Sequence, residues 1–399
     1  MSTPPRVAGV RLASTAAGVR YPDRRDLVLM ELAAGTACAA TFTRNAFCAA
    51  PVTVAKAHLQ TASPRYLLIN SGNANAGTGT RGIADAEACC QALAERTGCR
   101  ADAVLPFSTG VIGEDLPVGR ISAAIPSLLD TLAADGWEAA AQAIMTTDTV
   151  PKLARREVGI DGRTATLVGM AKGAGMIRPD MATMLAFLAT DATITPDLLR
   201  AMLRQAVDSS FNAISIDGDT STNDACVLAA TGTLGNPALT DAHNDQAEAF
   251  ATALTGLCQE LASAIVRDGE GATKLVTIDV EAATSVAEAR KVAEAIAHSP
   301  LVKTALFAGD PNWGRILAAV GRAGVADLNI EGVQIWLDDI RIVSGGGRDP
   351  AYSEAAGQRV MSQDCLTIRV SLGRGAAAAR LLTCDLSYDY VRINAEYRT

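Results

Sequence analysis

The sequence predicts an α/β (α+β) fold: two stacked β-sheet layers flanked by helices, an αββα-like sandwich, with a smaller C-terminal α/β subdomain. Three observations carry this. Short β-rich or alternating runs are bounded by Gly, Pro, Asn or Asp, and Ala-rich segments with helical spacing lie among them. The two kinds of segment follow one another without the regular βα alternation of a barrel or a doubly wound sheet. At 399 residues the chain also exceeds the usual single domain, which fits a large layered unit with an appendage.

In chain order, residues 26–33 (DLVLMELA), 36–43 and 66–70 (YLLIN) read as strands. Residues 83–97, 119–134 and 137–146 read as helices, with Gly98 as the stop for the first. Residues 154–160 and 164–170 flank Asp161-Gly162, a two-residue hairpin signal. A helix near 195–207, a strand near 225–231 and a long helix from about 242 to 266 follow. A strand at 274–280 and a helix at 284–297 begin a second unit, which ends in strands near 332–344, 366–373 and 379–386. The subdomain is therefore expected at approximately 281–390.

With 49% hydrophobic and 20% charged residues the composition is that of a globular protein. An aromatic content of 4% leaves few rings to stack on bases, and a net charge of -8 repels phosphate backbones, so no nucleic-acid partner is expected. The N-terminal MSTPPRVAGVRLAS lacks the apolar stretch of a secretory signal. No segment approaches the roughly 18 apolar residues of a spanning helix, so the expectation is a cytoplasmic protein without a membrane partner. The nine cysteines contain no CxxC pair and are expected to be buried, reduced thiols, with Cys89 and Cys90 on different sides of a helix.

Two glycine motifs suggest nucleotide binding and are set aside. Residues 77–82 (GTGTRG) match GxGxxG between a strand and a helix, but six residues separate Asn70 from Gly77, whereas the fingerprint needs its first glycine in the tight turn leaving the strand. Residues 169–175 (GMAKGAG) lack the Gly-Lys-Ser/Thr ending of a phosphate loop.

The three histidines, His58, His243 and His298, lie in no Ser, Cys or zinc-ligand spacing. No metal site is expected, and an enzyme built on this chain would use a base other than imidazole. Residues 172–188 (KGAGMIRPDMATMLAFL) set Thr183 between a turn-rich segment and a fully apolar run. We read Thr183 as a nucleophile that becomes N-terminal when the chain cuts itself between Ala182 and Thr183. Its α-amine, with an ordinary pKa of about 7.7 to 8.0, then serves as the base. The competing reading is a buried β-branched residue opening an apolar element. Four other segments are polar and glycine-rich beyond what a turn needs: STGVIG (108–113), TTDT (146–149), DGEGATK (268–274) and NAEYRT (394–399). Taken singly, each reads as an ordinary turn or solvated connection.

Together with NSGNANAGTG (70–79), SIDGDTSTND (215–224), GDPNWGRI (309–316) and YVRINAEYRT (390–399), these segments resemble the ornithine acetyltransferases of arginine biosynthesis, the glutamate N-acetyltransferases. The likeness spans nearly the whole chain; Asp180 departs from it, standing where Asn or Ser is more usual. The resemblance implies cleavage into an α chain (1–182) and a β chain (183–399), assembled as α2β2. It implies acetyl transfer from N-acetylornithine to glutamate through an acetyl-Thr183 intermediate. The Thr109 hydroxyl and the Gly110 backbone N–H are implied as oxyanion donors, each such donor contributing roughly 3 to 4 kcal/mol. Substrate contacts are implied for Thr149, Lys172, Thr183, Glu270, Asn394 and Thr399, with no metal or organic cofactor. Lys172 suits a substrate carboxylate and Glu270 an ammonium. Family members divide over acetyl-CoA as a second donor, and no residue here separates the two groups. The alternative readings are a related self-cleaving amide hydrolase and an uncleaved metabolite-binding protein.

Overall fold

A computed structural model describes residues 4–178 and 184–396. Among the described residues the strands form three sheets. Numbered in chain order, the first sheet is β1 (Val10–Thr15), β2 (Leu27–Leu32), β4 (Tyr66–Asn73) and β5 (Val104–Val111), with β4 and β5 parallel and the rest antiparallel. The second runs β3 (Ala37–Phe42), β9 (Ala225–Ala230), β8 (Leu185–Thr190), β7 (Arg163–Lys172), β6 (Lys152–Ile160). Strands β6 and β7 form the expected hairpin, and Asp161 and Gly162 at its tip have φ of +50° and +70°, as a type I′ turn requires.

The two sheets stack face to face, and side-chain alternation fixes which residues meet. On β2, Val28 and Met30 point into the layer between the sheets while Leu27 and Leu29 point outward. On β8, Leu185, Phe187 and Ala189 fill that same layer while Ala186 and Leu188 face the other side. Both faces of β8 and β9 are buried, which is why LAFLAT and ACVLAA read as continuous apolar runs and not as alternating ones. Phe187 and Phe107 meet edge to face at 5.1 Å across the layer.

Helices cover the outside. Cys89, Cys90 and Leu93 of α2 (Gly79–Thr97) and Ile121, Ile125 and Leu128 of α3 (Val118–Asp130) pack on the first sheet. The second sheet is covered by α5 (Pro196–Asp208) and α6 (Asp245–Arg267). The helix α1 (Ala50–Thr61) lies against β5, and α4 (Trp137–Ala143) buries Trp137 in the inter-sheet layer. This is the expected αββα sandwich.

The C-terminal sheet has the order β13 (Gly347–Arg348), β12 (Ile340–Ser344), β11 (Gln334–Leu337), β14 (Cys365–Ser371), β10 (Leu275–Ala283), β15 (Ala377–Cys384). One face, with Val276, Ile278 and Val280, is apolar and packs on α7 (Val286–Ala297), α8 (Pro300–Ala308), α9 (Trp313–Gly321) and α10 (Glu354–Met361). The other face is polar: Arg380 pairs with Asp279 at 2.7 Å, and the Arg369 guanidinium stacks 4.0 Å from the Trp336 ring. The last helix, α11 (Tyr388–Glu396), returns to the sandwich.

Several expectations are corrected. A subdomain boundary at 281 would cut β10, whose residues from Val276 onward already belong to the C-terminal core. STGVIG begins as strand: residues 104–111 are β5, an edge position where the missing N–H of Pro106 can be tolerated. The α2 helix starts at Gly79, so two of the motif glycines are helical, and Asn75 ties its first turn through Nδ2 to the Gly82 carbonyl at 2.8 Å. Cys89 and Cys90 both enter the same core, because adjacent helix positions differ by only about 100° and the buried face is at least that wide. All nine cysteines are free, and Cys365 is exposed. Among the described residues one helix, α6, is long and apolar enough by length and composition to cross a bilayer. Its Phe250, Leu254, Leu257, Leu261 and Ile265 are instead buried in the core over the second sheet.

Phe187→Ala should test the inter-sheet layer directly. A fully buried ring is lost between two sheets that cannot collapse onto the gap, so urea unfolding should report a loss of about 3 to 5 kcal/mol. A loss below about 1 kcal/mol would mean that this layer is not the core of the sandwich.

Candidate active site

Residues from four distant parts of the chain line one cleft of about 320 Å³: Thr109 and Gly110 from β5, Lys172 from the end of β7, Glu270 from the loop after α6, and Asn394 from α11. These are five of the nine site residues expected from the sequence. Ala182, Thr183 and Thr399 lie outside the described residues.

Thr109 and Gly110 sit where the β4–β5 ladder slips register at Gly72 and Asn73. Gly110 has φ of +134°, and a Cβ there would stand 2.3 Å from the Gly72 carbonyl carbon, so no other residue fits. This local break turns the peptide out of the regular ladder next to the cleft. The Thr109 side chain is nearly buried, yet it lines the cavity.

Lys172 is 4% exposed and donates to Thr146 Oγ1 at 2.8 Å and to Thr109 Oγ1 at 3.3 Å. Behind it lies a buried ionic network. Asp148 Oδ2 is 3.9 Å from the Lys172 ammonium, and Asp148 Oδ1 accepts from Lys152 Nζ at 2.7 Å and from the Gly173 amide at 2.7 Å. Lys152 also reaches Asp268 at 2.6 Å. Burial alone would raise the Asp148 carboxyl, but the two ammonium groups and the Gly173 N–H outweigh it and bring it to about 2. Burial pushes the Lys172 ammonium down; Asp148 opposes that, and Lys152 adds to it.

Thr149 is the exception among the described site residues. It is exposed, and its hydroxyl and amide both donate to Asp268, so Thr146 and Thr147 form that wall of the cleft instead. The sequence marks TTDT as unusual, but which of its threonines faces the cavity depends on Asp268, a partner 119 residues away.

On the opposite wall, Glu270 accepts from Asn394 Nδ2 at 2.8 Å, which joins the loop after α6 to α11. Gly175 lies flat on the Glu270 carboxylate: a Cβ at that position would be 2.6 Å from it. The chain just before the described segment ends is also clamped. Asp217, from the SIDGDTSTND segment, accepts from the amides of Met176 at 2.6 Å and Ile177 at 2.9 Å, and Met176 has φ of +54°. Ser215 Oγ donates to the Ile177 carbonyl at 3.1 Å. On the far side of the undescribed residues, the Met184 carbonyl accepts from the Ala225 amide at 3.1 Å before β8 begins. Asp148, Asp268 and Asp217 were not anticipated as site residues; only their presence in flagged polar segments, or beside one, hinted at them.

Removing Asp148 tests the network. Asp148→Ala leaves two buried ammonium groups facing each other and should lower stability by about 3 to 5 kcal/mol in urea at neutral pH. The Asp148 carboxyl is depressed from 3.8 to about 2, so its stabilisation is fully present above pH 4 and is lost as pH falls through 2. The gap between wild type and variant should therefore stay constant above about pH 5 and narrow between pH 4 and 2. A gap that does not narrow would contradict the assigned ionisation.

Comparison with known proteins identifies the family of the chain. The sequence model of the ArgJ family matches residues 11–399. An arginine biosynthesis bifunctional protein ArgJ from Methylococcus capsulatus is 62% identical, the match covering 98% of this chain and 96% of that protein. The protein of the same name from Pseudomonas syringae pv. tomato is 53% identical, with 98% and 97% covered. A crystal structure of ArgJ from Bacillus halodurans superposes with a TM-score of 0.51 at 42% identity, covering 54% of this chain and all of that one. With β5, β7, the loop after α6 and α11 converging on a single cleft, and a family match over nearly its whole length, the chain belongs to the ArgJ family.

Proposed function

We propose that this protein is an acetyltransferase of arginine biosynthesis that moves an acetyl group from N-acetylornithine to glutamate through an acetyl-enzyme on Thr183. The observation that carries the reading is the convergence of Thr109, Gly110, Lys172, Glu270 and Asn394 on one cleft. Lys172 pairs in register with Leu185, and Thr183 stands two residues before Leu185 in the chain.

In this reading the chain cuts itself between Ala182 and Thr183, and the freed α-amine takes the proton of the Thr183 hydroxyl as it attacks the acetyl carbonyl. The oxyanion is met by the Thr109 hydroxyl and the Gly110 N–H. Collapse of the intermediate expels ornithine, and the α-ammonium protonates its amine. The glutamate amine then attacks the ester, the acyl–oxygen bond to Thr183 breaks, and the α-amine passes a proton from the glutamate nitrogen to the released Thr183 oxygen, so that the acetyl group leaves on glutamate. Glu270 gives the cleft a carboxylate that suits a substrate ammonium, and the Lys172 ammonium adds one positive charge. We extend the proposal to acetyl-CoA as a second donor, to an α2β2 assembly, and to a cytoplasmic setting that suits the free cysteines.

Denaturing mass spectrometry of the purified protein should give two fragments, 1–182 and 183–399, and Thr183→Ala should remain one chain without activity. With N-acetylornithine and glutamate, the product should be N-acetylglutamate. Mostly free acetate would favour the hydrolase reading, and an intact, uncut wild-type chain would favour a binding protein. Supplying acetyl-CoA in place of N-acetylornithine tests the second donor.

A further inference from the structure

We infer that Lys172 acts on the reaction through Thr109, holding and polarising the hydroxyl that stabilises the oxyanion, so that its main role is not to bind a substrate carboxylate. This rests on the acetyl-transfer reading and assigns Lys172 a different task within it.

Lys172 Nζ donates to Oγ1 of Thr109 at 3.3 Å and to Oγ1 of Thr146 at 2.8 Å. A hydroxyl has a single proton to give. With a lone pair of Thr109 Oγ1 engaged by a cation, the remaining O–H is oriented away from the ammonium, and its oxygen is drawn toward positive charge. Both changes make it a better donor to a developing anion.

The surroundings keep the charge available for this. Asp148 Oδ2 lies 3.9 Å from the ammonium, beyond hydrogen-bond distance, while its other oxygen is engaged by Lys152 and the Gly173 amide. Lys152 faces Lys172 from β6 and is itself held by Asp148 and Asp268; Glu270 and Asp224 are the other charged groups acting on Lys172. The ammonium is thus supported from behind without direct contact with a carboxylate, and its closest contacts on the cleft side are the two hydroxyls.

A double-mutant cycle on the acetyl-transfer reaction tests this, with each variant checked for cutting at Ala182–Thr183 before assay. Thr109→Ala should lower kcat by about 10²- to 10³-fold. Lys172→Met should lower kcat by at least about tenfold with KM little changed, yet by less than about twofold when Thr109 is already Ala. Lys172→Arg should retain more of kcat than Lys172→Met. If a variant is not cut, Lys172→Arg and Thr109→Ser give the cycle instead, and their effects should again be non-additive. Equal effects of the Lys172 change in both backgrounds, or a raised KM with kcat unchanged, would overturn the inference and return Lys172 to carboxylate binding. An active wild type with an additive cycle sinks this inference alone; a wild type without acetyl transfer overturns the functional reading as well.

Discussion

Two ammonium groups and two carboxylates share a buried space beneath the cleft, and the geometry of the site follows from their need to stay together. Lys152 and Lys172 stand at the open end of one hairpin, where Lys152 pairs with Ala171. Asp148 comes from the loop before that hairpin and Asp268 from the end of α6. A charge in this position cannot be left alone, since an unpaired buried ion costs several kcal/mol. The pairing therefore anchors the 146–149 loop, the end of β7 and the start of the 268–274 loop in one arrangement. Glu270 and Thr146 take their places as a consequence, each two residues from an anchored carboxylate.

Around that centre the sandwich supplies rigidity and the C-terminal helix supplies closure. The inter-sheet core holds β5 and β7 so that their ends present Thr109, Gly110 and Lys172 to the same space. The site is built at strand ends and on a glycine-enforced break in a ladder, where side chains can be aimed without exposing the core. The final helix adds Asn394 to Glu270, while Tyr390 reaches Asp217, the residue that clamps Met176 and Ile177. One short helix thus bridges the Glu270 wall of the cleft and the segment that Asp217 clamps.

Much of this was legible in the sequence where the signal is local. The 152–172 hairpin announces itself through Asp161-Gly162, and β2, β9, α5 and α6 through uninterrupted patterns. The edge strand β5 was hidden because Pro106 and Gly110 break the pattern that identifies a strand, although both are tolerated there for reasons visible only in the sheet. The short helices α8 and α9 were hidden in the same way, each being about two turns long and started by a side-chain cap, Ser299 and Asn312. The site residues came from resemblance, and the structure assembled five of them. The ionic network was not legible, since Lys152 and Asp268 lie 116 residues apart and no local signal pairs them. The Asp268 partner of Thr149 was hidden for the same reason.

The central claim is that acetyl groups pass through Thr183. The enzyme can be incubated with N-acetylornithine in the absence of glutamate, quenched in acid, and the fragment beginning at residue 183 sequenced by mass spectrometry. The account predicts one acetyl group on Thr183, removed when glutamate is added before the quench. An acetyl group on any other residue, or an active enzyme that never carries one, would contradict it.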